Sequence, residues 1–146
     1  MQRRHFFAAA GATVASAVTS TAFAQADAKS KSNSMQQCAT ECYDCAQECD
    51  ACASHCAGLI AKGKHDHVTT MQSCLDCADI CRSAGAISAR GGVHAAIVCK
   101  SCAEVCEACA TACEKHPDDE QMKKCAKACR DCAAPCKDMA KHAAHA

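Results

Sequence analysis

From residue 38 onward, small apolar positions recur in steps of three and four, with polar and charged residues filling the gaps. Cys38, Cys42, Cys45, Cys49, Cys52 and Cys56 are separated by steps of 4, 3, 4, 3 and 4. Residues three and four apart share one face of a helix. Their mean step of 3.5 holds such a stripe against a partner helix. The spacing returns in Cys74, Cys77 and Cys81, in Cys99, Cys102, Cys106, Cys109 and Cys113, and in Cys125, Cys129, Cys132 and Cys136. All eighteen cysteines belong to these four seams, so each seam predicts an amphipathic helix whose apolar stripe is thiol.

Local signals bound the helices. Ser34-Met35-Gln36-Gln37 matches a capping box and opens the first, which should end near Gly58 or Gly63. The second is expected over about 67–89, with Thr69 and Gln72 as a cap pair, and Gly91-Gly92 then breaks the chain. The third, about 93–115, stops before Pro117, and Asp118 with Gln121 caps a fourth that continues to about His142. Pro135 is expected to kink this last helix. Similar lengths and short connections predict an all-α fold, an antiparallel up-down-up-down four-helix bundle with a cysteine-lined core, over 34–146.

The first 24 residues read differently. Arg3-Arg4 precede an alanine-rich apolar stretch and then Ala22-Phe23-Ala24, a small-x-small cleavage site. This is the anatomy of a twin-arginine signal peptide, with the apolar stretch too short to span a bilayer. Export would place the protein in the periplasm or otherwise outside the cytoplasm, free of the membrane after cleavage, with 25–33 a mobile linker.

Sixteen Lys+Arg balance sixteen Asp+Glu, which points to neither a nucleic-acid nor a membrane surface. Beyond residue 24 there are two Leu, four Ile, four Val and no Phe or Trp, far below the ~20% that sustains an ordinary core. Protonated cysteine packs as a small apolar residue. The thiols themselves must form the core.

Antiparallel stacking assigns the cysteines to levels, to within about one step. One end carries Cys56, Cys74, Cys113 and Cys125, followed by Cys52, Cys77, Cys109 and Cys129, then Cys49, Cys81, Cys106 and Cys132. Beyond them come Cys45, Cys102 and Cys136 beside Ala84, then Cys42 and Cys99 facing Ser88 and Met139, and last Cys38 alone. Disulfides would need only a few cysteines at fixed points, and helical neighbours have nearly parallel Cβ vectors. Iron–sulfur patterns are missing. Four Zn(II) would leave roughly ten negative charges if every thiol ionised. Cu(I) carries one charge, is soft and accepts two or three thiolates. Two sulfurs ~4.5 Å apart can hold one ion between them. Multiple Cu(I) ions per chain are therefore expected, against the alternatives of a zinc or general thiol buffer and a disulfide-stapled structural bundle.

Four helices filled with C-x3-C and C-x2-C, as in Cys38-x3-Cys42-x2-Cys45-x3-Cys49-x2-Cys52-x3-Cys56, resemble the bacterial copper storage proteins. The resemblance covers about residues 35–139. It implies many Cu(I) ions inside each bundle, a homotetramer, and, for exported members, supply of copper enzymes outside the cytoplasm. The donor and client proteins carry no signature here. Pro135 and the absence of ligands on the second half of the second helix depart from the pattern.

Other soft ligands lie at the ends of the column. His65, His67, Met71, His116 and Met122 gather at the cysteine-dense end as a possible point of metal access, while Met35, Met139 and His94 lie at the sparse end. His55 flanks its seam, and His142 and His145 are expected to be solvated. No nucleophile–base set or acid pair stands out, so no enzyme activity is expected.

Overall fold

The computed structural model describes residues 19–141, with side chains from residue 29. Four helices fold back and forth: α1 (Thr19–Ile60), α2 (Val68–Ala89), α3 (Ala95–Cys113) and α4 (Glu120–Lys141). Each packs on its two sequence-cyclic neighbours, α1 on α2 and α4 and α3 on α2 and α4, while the backbones of the diagonal pairs stay farther apart. The expected antiparallel up-down-up-down bundle is what forms.

Beside the thiols runs a stripe of buried alanines: Ala39, Ala46 and Ala53 on α1, Ala103 and Ala110 on α3, Ala126 and Ala133 on α4. Each follows a cysteine and repeats every seven residues, so small side chains occupy both positions through which the helices approach one another. At the α1–α2 contact a Cβ on Gly85 would stand 3.2 Å from the Tyr43 ring and 3.3 Å from the Ala39 carbonyl oxygen. The small core permits this approach.

The connections differ from expectation in instructive ways. The first helix begins not at Ser34 but at Thr19, and the Ser34 hydroxyl donates to the Lys31 carbonyl inside it. The α1–α2 connection carries Gly63 at φ +88 and a 3-10 turn, His65–His67, before α2; Thr69 lies inside α2 and caps nothing. Gly91, at φ +63, makes the α2–α3 turn. The cap of α4 is Asp119 rather than Asp118: its Oδ1 accepts from the Gln121 and Met122 amides at 2.9 and 3.2 Å. Its Oδ2 meets His55 Nε2 at 2.7 Å, tying α1 to the α3–α4 turn. Pro135 lies within α4, yet Cys136 and Met139 remain buried, so the seam stays in phase through it. The C-terminal His142 and His145 lie outside the described residues.

Ion pairs fasten the outer faces: Arg82 joins Asp50 of α1 to Asp79, Lys124 reaches Glu48 at 2.7 Å, and Arg130 bridges Glu107 and Glu114. These pairs are partly or largely exposed and contribute little each. Asp119 carries more of the structure. Replacing it by alanine (D119A) should lower the stability of the metal-free protein by about 1 kcal/mol in urea denaturation. Against its partial burial, the His55 contact and two amides hold the Asp119 carboxyl below its ordinary value. The difference between wild type and D119A is therefore full at neutral pH and shrinks as pH falls through the folded-state pKa. Equal stabilities at neutral pH would remove Asp119 from this role.

Candidate metal centre

The mean step of 3.5 residues turns every cysteine inward. None of the eighteen is more than 1% exposed, and all are free thiols. They form one column through the bundle, with sulfurs of different helices typically 3.5–4.0 Å apart, the diagonal α1–α3 pairs Cys38–Cys99 and Cys42–Cys102 among them. Within a helix, the i,i+4 pairs Cys45–Cys49, Cys77–Cys81 and Cys102–Cys106 are each 3.9 Å apart. The only buried polar side chains among the described residues are His67, Thr70 and Ser88. No charged side chain enters the column.

The levels form as expected except that α1 is displaced by one cysteine step. Cys52, not Cys56, joins Cys74, Cys113 and Cys125 in a group of four sulfurs. Cys49 groups with Cys109, Cys125 and Cys129, and with Cys45, Cys77 and Cys129. Further groups are Cys45, Cys77, Cys81 and Cys106, then Cys42, Cys102, Cys132 and Cys136; every group has its sulfurs within 4.8 Å of one another. Cys38 is not alone at the sparse end: it lies 3.5 Å from both Cys99 and Cys136. Ser88 takes the place of a thiol beside them, its Oγ 3.4 Å from Cys99 Sγ. The α1–α2 connection occupies residues 61–67, longer than a symmetric hairpin needs, and leaves Cys56 outboard of Cys74.

Burial and the charge of neighbouring Cys52 push the Cys56 thiol up to about 12. Deeper in, hydrogen bonding with Cys106 and Cys129 draws Cys45 down, while bonding to Cys109 and Cys125 pushes Cys49 up. A sulfur that accepts S–H donors is stabilised as thiolate, and its donors are held protonated.

At the dense end the residues singled out for metal access separate. His67 is buried and stacks on His116, ring centroids 4.0 Å apart. Its Nδ1 is buried without a hydrogen-bond partner. The Thr70 hydroxyl donates to the Ala112 carbonyl at 3.3 Å and lies 3.2 Å from His116 Nε2. With that hydrogen on the carbonyl, His116 donates Nε2–H to Thr70 and keeps its Nδ1 lone pair. Met71 is half-buried and His65 exposed. Met122 is not on the rim; it is fully buried, its thioether accepting the Cys52 thiol at 3.4 Å. Thr70 was not expected here, although it stands four residues before Cys74 in phase with the seam. At the other end Met139 is buried, Met35 half-buried and His94 exposed.

The comparisons agree with this geometry. The family model for copper storage proteins matches residues 9–141. A cytosolic copper storage protein from Streptomyces lividans, solved with five coppers, is 30% identical with a TM-score of 0.71, covering 77% of this chain and 97% of its own. The apo form of copper storage protein 3 from Bacillus subtilis is 34% identical with a TM-score of 0.63, covering 71% and 96%. A protein from Nitrosospira multiformis is 31% identical with a TM-score of 0.66, covering 75% and 97%. No curated protein matches. The expected periplasmic location is corrected by these relatives, since the Streptomyces protein is cytosolic. That expectation rested on a short arginine pair and an alanine-rich stretch, and alanine is also the best helix former. In the structure α1 runs unbroken through Ala22-Phe23-Ala24, where cleavage was expected; residues 1–18, with Arg3 and Arg4, lie outside the described residues. From its inward thiols, its bundle and a match over nearly its whole length, the chain belongs to the copper storage protein family.

Proposed function

We propose that this protein stores Cu(I) as a chain of thiolate-bridged ions inside the bundle, without catalysing a reaction. The observation that carries the reading is the burial of all eighteen thiols in one column that no charged side chain enters. A monovalent ion that replaces one thiol proton leaves such a column neutral. An ion of higher charge at each sulfur would not. Cu(I) also favours soft thiolate and accepts two or three ligands. Assembly as a homotetramer and exchange with a copper donor or client protein belong to the same proposal, on the strength of the family resemblance.

The dense end is proposed as the mouth. His67 and His116 present unshared imidazole nitrogens, with half-buried Met71 one turn further along α2, exposed His65 before them and buried Met122 against Cys52. Burial and the neighbouring His116 hold His67 below its ordinary pKa, so its ring is neutral at neutral pH. Imidazole and thioether hold Cu(I) less tightly than thiolate, which suits groups that pass an ion on. Met122, bonded to Cys52, would hand it to the first thiols.

Anaerobic titration of the reduced protein against a strong Cu(I) chelator should withdraw copper up to a count approaching the eighteen cysteines. An endpoint near four ions would overturn the storage reading. Because neutral thiols already fill the core, far-UV circular dichroism of the reduced, metal-free chain should be mostly helical, with copper mainly raising Tm. A disordered chain that folds only on metal addition would contradict this. Replacing His67 and His116 by alanine together with Met71 by leucine keeps every thiol. Loading and chelator-driven removal should slow several-fold while capacity stays nearly constant. The control is Met35 and Met139 to leucine at the sparse end; slower loading in the control alone would put the mouth at the wrong end.

A further inference from the structure

We infer that the same column is a cluster site for a divalent d10 cation, zinc or cadmium, holding four ions on eleven shared thiolates. The inference rests on the placement of the sulfurs and not on the copper reading. Four of the four-sulfur groups described above are not separate. In that order, the first and second share Cys125, the second and third share Cys49 and Cys129, and the third and fourth share Cys45 and Cys77. Together they use eleven different cysteines. They form a run of tetrahedra joined twice by an edge and once by a corner.

The spacing fits such ions. A tetrahedral zinc–thiolate site with bonds of ~2.3 Å has sulfur–sulfur edges of about 3.8 Å. Within these groups the separations are 3.9 Å for Cys45–Cys49, 3.8 Å for Cys45–Cys129, 3.6 Å for Cys49–Cys129 and 3.8 Å for Cys49–Cys125. Linear Cu(I) would need sulfurs ~4.5 Å apart and trigonal Cu(I) about 4.0 Å, so the metal-free column admits a tetrahedral ion as readily as a three-coordinate copper.

Sharing also lessens the electrostatic objection to divalent ions. Four isolated four-thiolate sites would bury two negative charges each. In the linked run, four divalent ions displace eleven protons from eleven thiols, leaving roughly three negative charges spread over four ions. The group around Cys42 shares no member with this run and provides a fifth, ordinary site. Five ions in separate sites would need more thiols than the chain has.

Two measurements on the reduced, full-length chain test this. Anaerobic Zn(II) addition in weakly buffered solution should release about three protons per ion up to roughly five ions, because shared sulfurs lose one proton for two metals. Loading with cadmium-113 should give resonances in the four-sulfur range, with cadmium–cadmium coupling through shared sulfur for four of the five. Four protons per ion with no such coupling would overturn the cluster, as would failure to retain either ion against a weak chelator. Titrating the same preparation with Cu(I) keeps the two readings apart: a copper count near eighteen stands whether or not the divalent cluster forms.

Discussion

The structure depends on contact between neutral thiols. A cysteine side chain is small, apolar when protonated and able to share a weak hydrogen bond with several sulfurs around it. Packed in successive levels, the eighteen thiols fill the centre of the bundle, and no Lys, Arg, Asp or Glu among the described residues is buried with them. The fold therefore does not wait for metal to create its core. Each thiol proton is at once part of the packing and the group that an incoming cation replaces, so storage and stability draw on the same atoms.

Small core residues impose a second condition. Leucine at these positions would hold the helices apart and separate the sulfurs beyond the reach of a shared ion. The alanine that follows many of the cysteines, and the approach of Gly85 to the Tyr43 ring, keep the helices close enough for sulfurs 3.5–4.0 Å apart. With little apolar area to bury, the bundle relies on caps and cross-helix ties at its ends. Asp119 supplies both, capping α4 and binding His55 of α1.

The seams were legible because the helical period acts on every cysteine alike: fold, helix number and inward ligands all follow from the steps of three and four. Register was not, because it is set by how residues 61–67 turn, and no spacing within a seam encodes that. The same limit explains why Asp119, rather than Asp118, became the cap: the choice depends on which carboxylate faces the first amides of α4. Ser34 looked like a cap only because nothing local shows that the helix starts earlier. Met122 was placed at the rim from its position before Cys125, yet the one-step displacement of α1 brings Cys52 beside it and buries it. Pro135 removes one backbone bond, yet α4 continues through it with Cys132 and Cys136 buried on either side, so the seam outlasts the break.

The column is not uniform along its axis. At one end complete four-sulfur groups lie directly behind a stacked histidine pair and a buried thioether. At the other, Ala84 and Ser88 occupy the α2 positions where the seam would carry thiols, and Cys38, Cys99 and Cys136 share the space with a hydroxyl. A hydroxyl is a harder and weaker partner for Cu(I) than thiolate. Ions at the sparse end therefore have fewer sulfurs to move between than ions at the dense end. The gradient comes from two residues of α2. It gives the bundle a direction: with the mouth proposed beside His67, an ion would meet its best ligands first and travel farther only as those fill.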